Sequence, residues 1–448
     1  MFINNDTICA LASSGQGAIS VIRLSGSKAI EICNQFFTSK DLTKVDSHTL
    51  HFGTFKKNNK ILDEVVVSVY RNPHSYTGED VVEVSCHGSV YIIKEILHLF
   101  NCSGARIAKP GEFTFRAFAN GKMDLSQAEA VTDLIASESE SAHQVAMHQM
   151  RGGFSNELKK LREELINFTS LLELELDFSE EDVEFADKEQ FNRLLQKVKI
   201  TIQNLIDSFE IGNVLKNGVP VAIVGQPNVG KSTLLNTLLK EDRAIVSDIA
   251  GTTRDTIEDI IILGGIQFRF IDTAGLRETK DKIEKIGIEK TLEKASSAKI
   301  IIFLIDASQE LNKQLNYLQS LEEKGLEPIL VINKIDLNRD IKEKLPNKIY
   351  ISAKNNEGID VFSQQMIDLV NSSSFNNNTL ISNSRHLESL NLALENIIKT
   401  INGLNNGISG DFLAMDIRQV LQHIGEITGE VSSDELLENI FSNFCIGK

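Results

Sequence analysis

Residues 225–232 read Gly225-Gln-Pro-Asn-Val-Gly-Lys-Ser232, a complete G-x-x-x-x-G-K-[ST] loop. No other feature of the 448-residue chain restricts its fold as much, because such a loop works only between a buried strand and a helix. Both are in place: Val219-Pro-Val-Ala-Ile-Val224 is an apolar run that leads into the loop, and a helix opens from Ser232 onward. Gly225 and Gly230 let backbone N–H groups wrap phosphate oxygens, and the helix start adds positive field. Lys231 reaches the β and γ phosphates, and Ser232 offers its hydroxyl to Mg²⁺. Asn228, Val229, Gly230 and Thr233 complete the candidate contacts of this loop.

Further motifs follow in a fixed order. They are Gly251-Thr-Thr-Arg-Asp255, Asp272-Thr-Ala-Gly275, Asn333-Lys-Ile-Asp336 and Ser352-Ala-Lys354. Thr253 can close on Mg²⁺ and the γ-phosphate together, as a switch element does. Thr252 and Arg254 either join it or are plain loop residues. Asp272 ends the expected strand Phe268–Asp272 and can hold a water on Mg²⁺, while the Gly275 N–H can sense the γ-phosphate. After the strand Pro328–Ile332, Asn333 and Asp336 present an amide and a carboxylate. Asp336 can accept from guanine N1–H and its exocyclic amine, a pair adenine does not offer. Buried groups left unpaired make the wrong base costly. Ser352-Ala353-Lys354, after Lys348–Ile351, supplies a backbone contact to the base oxygen. The chain is therefore read as a GTPase. Its candidate GTP contacts extend to Ser247, Asp248, Ile249, Ala250, Gly251, Thr252, Thr273, Ala274, Lys334 and Ile335, and Lys231, Thr253 and Asp272 are catalytic candidates.

Leu276 stands where a Ras-type enzyme places its water-positioning glutamine. Either turnover is very slow or another group orients the water, and Glu278, Glu284 and Glu289 lie just downstream. The Asn228 amide either faces solvent or places its oxygen beside a monovalent cation next to the phosphates.

The length calls for two to four domains. The net charge of −16 argues against a broad nonspecific nucleic-acid binder. The odd set Cys9, Cys33, Cys86, Cys102 and Cys445 contains no C-x-x-C, so a reducing compartment is expected rather than a disulfide framework or structural zinc. The start carries no basic and apolar leader, and no stretch reaches the roughly 18 apolar residues of a membrane span. A cytoplasmic protein is the expectation.

Four stretches are expected. Residues 1–118 form a small strand-rich α/β domain, with strands over Ala18–Leu24, Leu62–Tyr70 and Asp80–Cys86 and a helix over Ser89–Cys102. Residues 119–215 are helical, with Ser126 and Glu129 able to cap the first helix. Residues 216–372 are the nucleotide domain, and 373–448 are helical again after the Ser/Asn-rich linker Asn371–Asn378. The two helical parts are expected to form one domain into which the nucleotide domain is inserted. The acidic run within Leu171–Glu184 is either a solvated face or a surface that steers a basic partner.

The whole length resembles the bacterial and organellar tRNA-modifying GTPases of the MnmE (TrmE) family. Beyond the nucleotide motifs, the marks are Gly17-Ala-Ile-Ser-Val-Ile-Arg-Leu-Ser-Gly26, Ser75-Tyr-Thr-Gly-Glu-Asp80 and Cys86-His-Gly88. Pro110-Gly-Glu-Phe-Thr-x-Arg116, Gly121-Lys-Met-Asp-Leu125, Gly425-Glu-Ile-Thr-Gly429 and Phe444-Cys-Ile-Gly-Lys448 complete them.

The resemblance implies an α/β multidomain chain: an N-terminal α/β folate-binding and dimerisation domain, a discontinuous helical domain and an inserted Ras-like P-loop G domain. It implies action on the tRNA wobble uridine, U34, as a homodimer joined in a heterotetramer by the FAD-dependent partner MnmG (GidA). The product carries a carboxymethylaminomethyl or aminomethyl group at C5. The one-carbon unit comes from 5,10-methylene-tetrahydrofolate or 5-formyl-tetrahydrofolate, and Arg23, Glu83, Lys122 and Lys448 match the folate contacts. Asn228 with the loop residues Ser247, Ile249 and Thr252 matches the K⁺ ligands, Ser247 replacing a common threonine. Glu284 matches the water-orienting glutamate.

Read from the residues alone, Arg23 is a salt-bridged surface group or a partner for a folate carboxylate. Glu83 is a polar-face acid or an acceptor for pterin N–H groups. Cys445 is a buried cysteine or a thiol on a flexible, glycine-flanked tail that reaches a neighbouring folate site. His87 receives no role. The rival reading is a GTP-controlled RNA or ribosome assembly factor without modification activity; such factors usually carry a basic module, which is not found in this sequence.

Overall fold

The computed structural model describes residues 6–13, 17–177, 188–241, 259–271, 298–346, 348–371 and 380–448. Two compact units emerge, one of residues 1–132, 149–194 and 395–448, the other of 133–148 and 195–394.

In the first unit, β-branched alternation builds a six-stranded sheet. Its strands are β1 (Thr7–Leu11), β2 (Ile19–Ser25), β3 (Thr49–Lys57), β4 (Lys60–Tyr70), β5 (Val81–His87) and β6 (Ala105–Ile107). They are ordered β3-β4-β5-β2-β1-β6, and only the β1–β6 pair is parallel. Val65, Val67, Val69, Val82, Val84 and Cys86 point to one face. There they pack with Ile30 and Ile32 of α1 (Ala29–Asn34) and Ile93, Ile96 and Phe100 of α2 (Val90–Cys102). The expected strands and helix fall within two residues of β2, β4, β5 and α2. On the opposite face the register sets Arg23 against Glu83, and Glu83 against Ser68.

α3 (Glu112–Ala119) and α4 (Leu125–Ala136) follow. The α4 cap differs from the expected Ser126/Glu129 pair. Asp124 Oδ1 accepts the Gln127 N–H at 2.9 Å and Gln127 Oε1 accepts the Asp124 N–H at 2.9 Å, which is a capping box. Ser126 is already inside the helix and donates to Asp124 Oδ1. The carboxylate, a charged acceptor two residues earlier, takes the orphan Gln127 amide.

α5 (Glu140–Met150), α6 (Gly153–Asp177) and α7 (Lys188–Asn217) supply the long helices expected from the periodicity. The chain's last residues do not swing free. Phe441 and Phe444 join Phe115, Leu125 and Ala128 in a buried cluster, with Phe115 and Phe441 edge to face at 5.3 Å. Gly111, at φ 67°, donates its N–H to Cys445 O, and a side chain there would meet Phe441 O at 2.5 Å.

In the second unit, β7 (Val219–Val224), β8 (Asp259–Leu263), β9 (Ile266–Phe270), β10 (Ile300–Asp306), β11 (Ile329–Asn333) and β12 (Ile349–Tyr350) form a sheet ordered β12-β11-β10-β7-β9-β8. All its pairs are parallel except β8–β9. Every residue of β10 is buried, the pattern of a central parallel strand. α8 (Lys231–Glu241), α9 (Leu311–Glu322), α10 (Ile341–Lys344) and α11 (Ile359–Asn371) belong to this part, and α12 (Ser384–Asn405), α13 (Gly410–Thr428) and α14 (Asp434–Ser442) follow. No helix among the described residues is long and apolar enough to cross a membrane.

Candidate functional site

The parallel sheet delivers three loops to the carboxyl ends of its strands, where doubly wound sheets bind ligands. The P-loop joins β7 to α8. Gly225 (φ 155°) and Gly230 (φ 99°) leave no room for side chains: a Cβ at 225 would lie 2.5 Å from Leu304 O, and one at 230 would lie 2.3 Å from Asn333 Nδ2. Asn228, at φ 64°, is exposed at the turn, while Val229 is buried. Lys231 Nζ donates to the loop's own carbonyls, Gly225 O at 2.7 Å and Gln226 O at 3.1 Å, and burial holds its pKa below the ordinary lysine value. Ser232 is half-buried and Thr233 exposed.

Asn333 ties the three loops together. It is 2% exposed; its Nδ2 donates to Val229 O at 2.8 Å and its Oδ1 accepts the Ala353 N–H at 3.0 Å. The Ser352 hydroxyl donates to Asp336 Oδ1 at 2.6 Å and so orients the carboxylate expected to read guanine. Ile335 is buried and Lys354 is exposed beside these loops. Two contributors were not legible in the motifs. Thr237 of α8 donates to Ala353 O at 2.8 Å, fastening the Ser-Ala-Lys loop to the phosphate helix. Asp306, at the end of β10, pairs with Lys334 Nζ at 2.7 Å. Burial pushes the Asp306 carboxyl up, but Lys334 and the Ser308 hydroxyl and amide more than offset this, and its pKa lies below the ordinary value. Ser247, Asp248, Ile249, Ala250, Gly251, Thr252, Thr253, Asp272, Thr273, Ala274, Gly275, Leu276 and Glu284 lie outside the described residues.

A second cluster forms on the N-terminal sheet. Arg23 Nε and Nη2 both donate to Glu83 Oε1 at 2.8 Å, and Nη1 donates to Gly447 O at 3.3 Å. The guanidinium lies 5.2 Å from the Tyr76 ring centroid and 5.6 Å from that of Phe113, in cation–π range. Burial, then the neighbouring Arg23, lowers the Lys448 pKa, with Glu83 acting against them. Arg23, Glu83 and Lys448, 60 or more residues apart in sequence, are thus brought together. Lys122 is not in contact with them; it donates to Pro73 O at 3.0 Å, at the base of the loop that carries Tyr76. Cys445 is exposed rather than buried, and its carbonyl is held by Gly111 rather than free on a flexible tail.

The Pro110–Arg116 mark has a structural basis beside this cluster. Glu112 is fully buried and pairs with Arg106 at 2.6 Å and with Arg116 at 3.1 Å, and Arg116 also holds Asp6 and Glu79.

A P-loop between strand and helix, faced by Asn-Lys-x-Asp and Ser-Ala-Lys loops on a parallel sheet, defines a GTPase of the P-loop class. Comparison with known proteins sharpens this. Residues 7–122 match the family described as the GTP-binding protein TrmE N-terminus, and residues 125–445 match the MnmE helical domain. The tRNA modification GTPase MnmE of Flavobacterium johnsoniae is 56% identical over 465 residues, spanning 100% of both chains. That of Flavobacterium psychrophilum is 55% identical over 461 residues, also spanning 100% of both. That of Cytophaga hutchinsonii is 55% identical over 454 residues, covering 99% of this chain and 98% of its own. The chain belongs to the MnmE family of tRNA modification GTPases.

Proposed function

We propose that this chain hydrolyses GTP to drive modification of the wobble uridine, U34, of tRNA, adding a carboxymethylaminomethyl group at C5 together with an FAD-dependent partner of the MnmG kind and a folate one-carbon donor. The observation that carries the nucleotide half is the convergence of the P-loop, Asn333, Asp336 and the Ser-Ala-Lys loop at one edge of the sheet. Full-length kinship with relatives named tRNA modification GTPase MnmE supports the tRNA half.

The chain's own residues act as follows. Lys231 exchanges its loop carbonyls for phosphate oxygens. Asp336, turned by Ser352, takes the guanine N–H donors, and Asn333 keeps the base and phosphate loops at a fixed separation. Ser232 and Thr253 would hold Mg²⁺, which supplies charge to the phosphates. Asn228 would hold K⁺ together with Ser247, Ile249 and Thr252, and its exposed place on the phosphate loop fits that task. K⁺ supplies positive charge where many GTPases use an arginine. Glu284 orients the attacking water in place of the absent glutamine.

The Arg23–Glu83–Lys448 cluster fits a folate. Two cations can pair with its carboxylate tail, with Glu83 holding the Arg23 guanidinium in place. The bound folate supplies the one-carbon unit; Arg23, held against Tyr76, Phe113 and Gly447, fixes its orientation. Lys122 contributes from the neighbouring loop, and the exposed Cys445 stands three residues before Lys448. Homodimerisation through residues 1–118 is supported by the edge strand β3, where Leu50 and Phe52 are 70% and 69% exposed. The helical parts 119–215 and 373–448 would relay the state of the G domain, 216–372, to this site.

Nucleoside analysis of tRNA from a strain lacking the gene tests the reading. Loss of the C5 group at U34 is expected. Unchanged U34 with a defect in ribosomal RNA maturation would instead mark an assembly factor.

A further inference from the structure

Asp306 belongs to none of the nucleotide motifs, yet among the described residues it is the most completely tethered carboxylate near them. It is 1% exposed. Its Oδ1 accepts the Ser308 N–H at 2.9 Å and hydroxyl at 2.7 Å; its Oδ2 accepts Gln309 Nε2 at 2.9 Å and Lys334 Nζ at 2.7 Å. Gln314 closes the backbone around it, accepting the Asp306 N–H at 2.8 Å and donating to Asp306 O at 3.0 Å. The Lys334 ammonium makes a second bond, to Asn228 O at 2.8 Å. Lys334 and Asn228 both hold left-handed backbone, at φ 62° and 64°, a conformation that costs energy in non-glycine residues unless the surroundings enforce it.

The ammonium that joins these two turns is itself held by Asp306. A surface ion pair would exert little control. Here one partner is buried, so loss of the ammonium leaves an uncompensated interior charge, and the pair stays closed.

We propose that Asp306 is a positioning residue for the nucleotide site: it fixes Lys334, and Lys334 fixes the turn of the phosphate loop at Asn228. The grip on the nucleotide then depends on a carboxylate that does not touch it. The inference rests on the GTP reading above. In Asp306→Asn the amide group that replaces Oδ2 meets the donors of Lys334 or Gln309, Lys334 turns to solvent and Asn228 O loses its clamp. The binding-competent population falls, and apparent affinity falls with it.

The test is a double-mutant cycle on the full chain, with Asp306→Asn, Lys334→Met and the pair, read by equilibrium binding of a fluorescent GDP and by thermal melting. Asp306→Asn is expected to weaken GDP binding by about tenfold or more. The double variant is expected to bind no more weakly than Lys334→Met alone. Wild-type affinity in Asp306→Asn overturns the proposal, as do effects that multiply in the double variant. Should Asp306→Asn fail to fold, Asp306→Glu keeps the charge but moves the acceptor away from Lys334. Weakened GDP binding at an unchanged melting temperature supports the proposal, and unchanged binding overturns it. A wild-type chain that does not bind GDP refutes the nucleotide reading itself.

Discussion

Replacing Asn333 by alanine separates joining loops from reading a base. Asn333 is 2% exposed and makes two interior bonds, to Val229 O and from the Ala353 N–H. Alanine leaves that carbonyl and that amide without partners in a place water does not reach. Each orphan costs about 1–3 kcal/mol, so about 2–6 kcal/mol is lost together. Against a typical total of about 5–15 kcal/mol, the domain survives but is weakened. The P-loop and the Ser-Ala-Lys loop are no longer held in register, so affinity falls for every purine nucleotide that uses both. The assay is urea unfolding of the full chain alongside GDP and IDP binding. A lower midpoint is expected, with both nucleotides weakened by a similar factor. Asn333→Asp keeps the acceptor for the Ala353 N–H but sets an anionic oxygen against Val229 O, and is expected to be no better. Unchanged stability in Asn333→Ala, or a loss confined to GDP, would refute the joining role.

Other expectations follow from single contacts. Gly447→Ala puts a Cβ 2.2 Å from Leu11 O at φ 95°, so the tail should lift from Arg23 and folate binding by calorimetry should fall while GTP hydrolysis persists; normal folate binding would contradict this. Glu284→Ala should slow GTP hydrolysis with little change in GDP affinity, and wild-type hydrolysis should be faster in K⁺ than in Na⁺. Burial raises the Glu112 pKa, but Arg106, the Lys109 N–H and Arg116 carry it below its ordinary value of 4.5. Its contribution to stability is therefore complete above that value and lost as pH falls through the lowered one. Arg106→Gln should move the acid-unfolding midpoint, followed by circular dichroism, to higher pH, and an unmoved midpoint would exclude the pairing as a source of acid stability.

The placement of the Gly225–Ser232, Asn333–Asp336 and Ser352–Lys354 loops after their strands was legible because these motifs are tied to residue type at short range. Gly225 and Gly230 are required where a Cβ would strike Leu304 O or Asn333, and the flanking strands β7, β11 and β12 announce themselves as apolar runs. Asp306 was not legible. It ends β10, a uniformly buried run without alternation, and it meets Lys334 only because the register places Asp306 beside Asn333. Arg23 and Glu83 were expected to share a ligand, but their direct pairing depends on the β2–β5 register. The α4 cap was misassigned by two residues because Ser-x-x-Glu and Asp-x-x-Gln overlap there, and the charged acceptor prevails.

Complementation shows whether the GTP site of this chain drives tRNA modification. A deletion strain would receive either the wild-type chain or Lys231→Ala, and U34 of its tRNA would be analysed by mass spectrometry. The wild-type chain is expected to restore the C5 group and Lys231→Ala is not, at equal protein levels. Restoration by both would contradict that role of the GTP site.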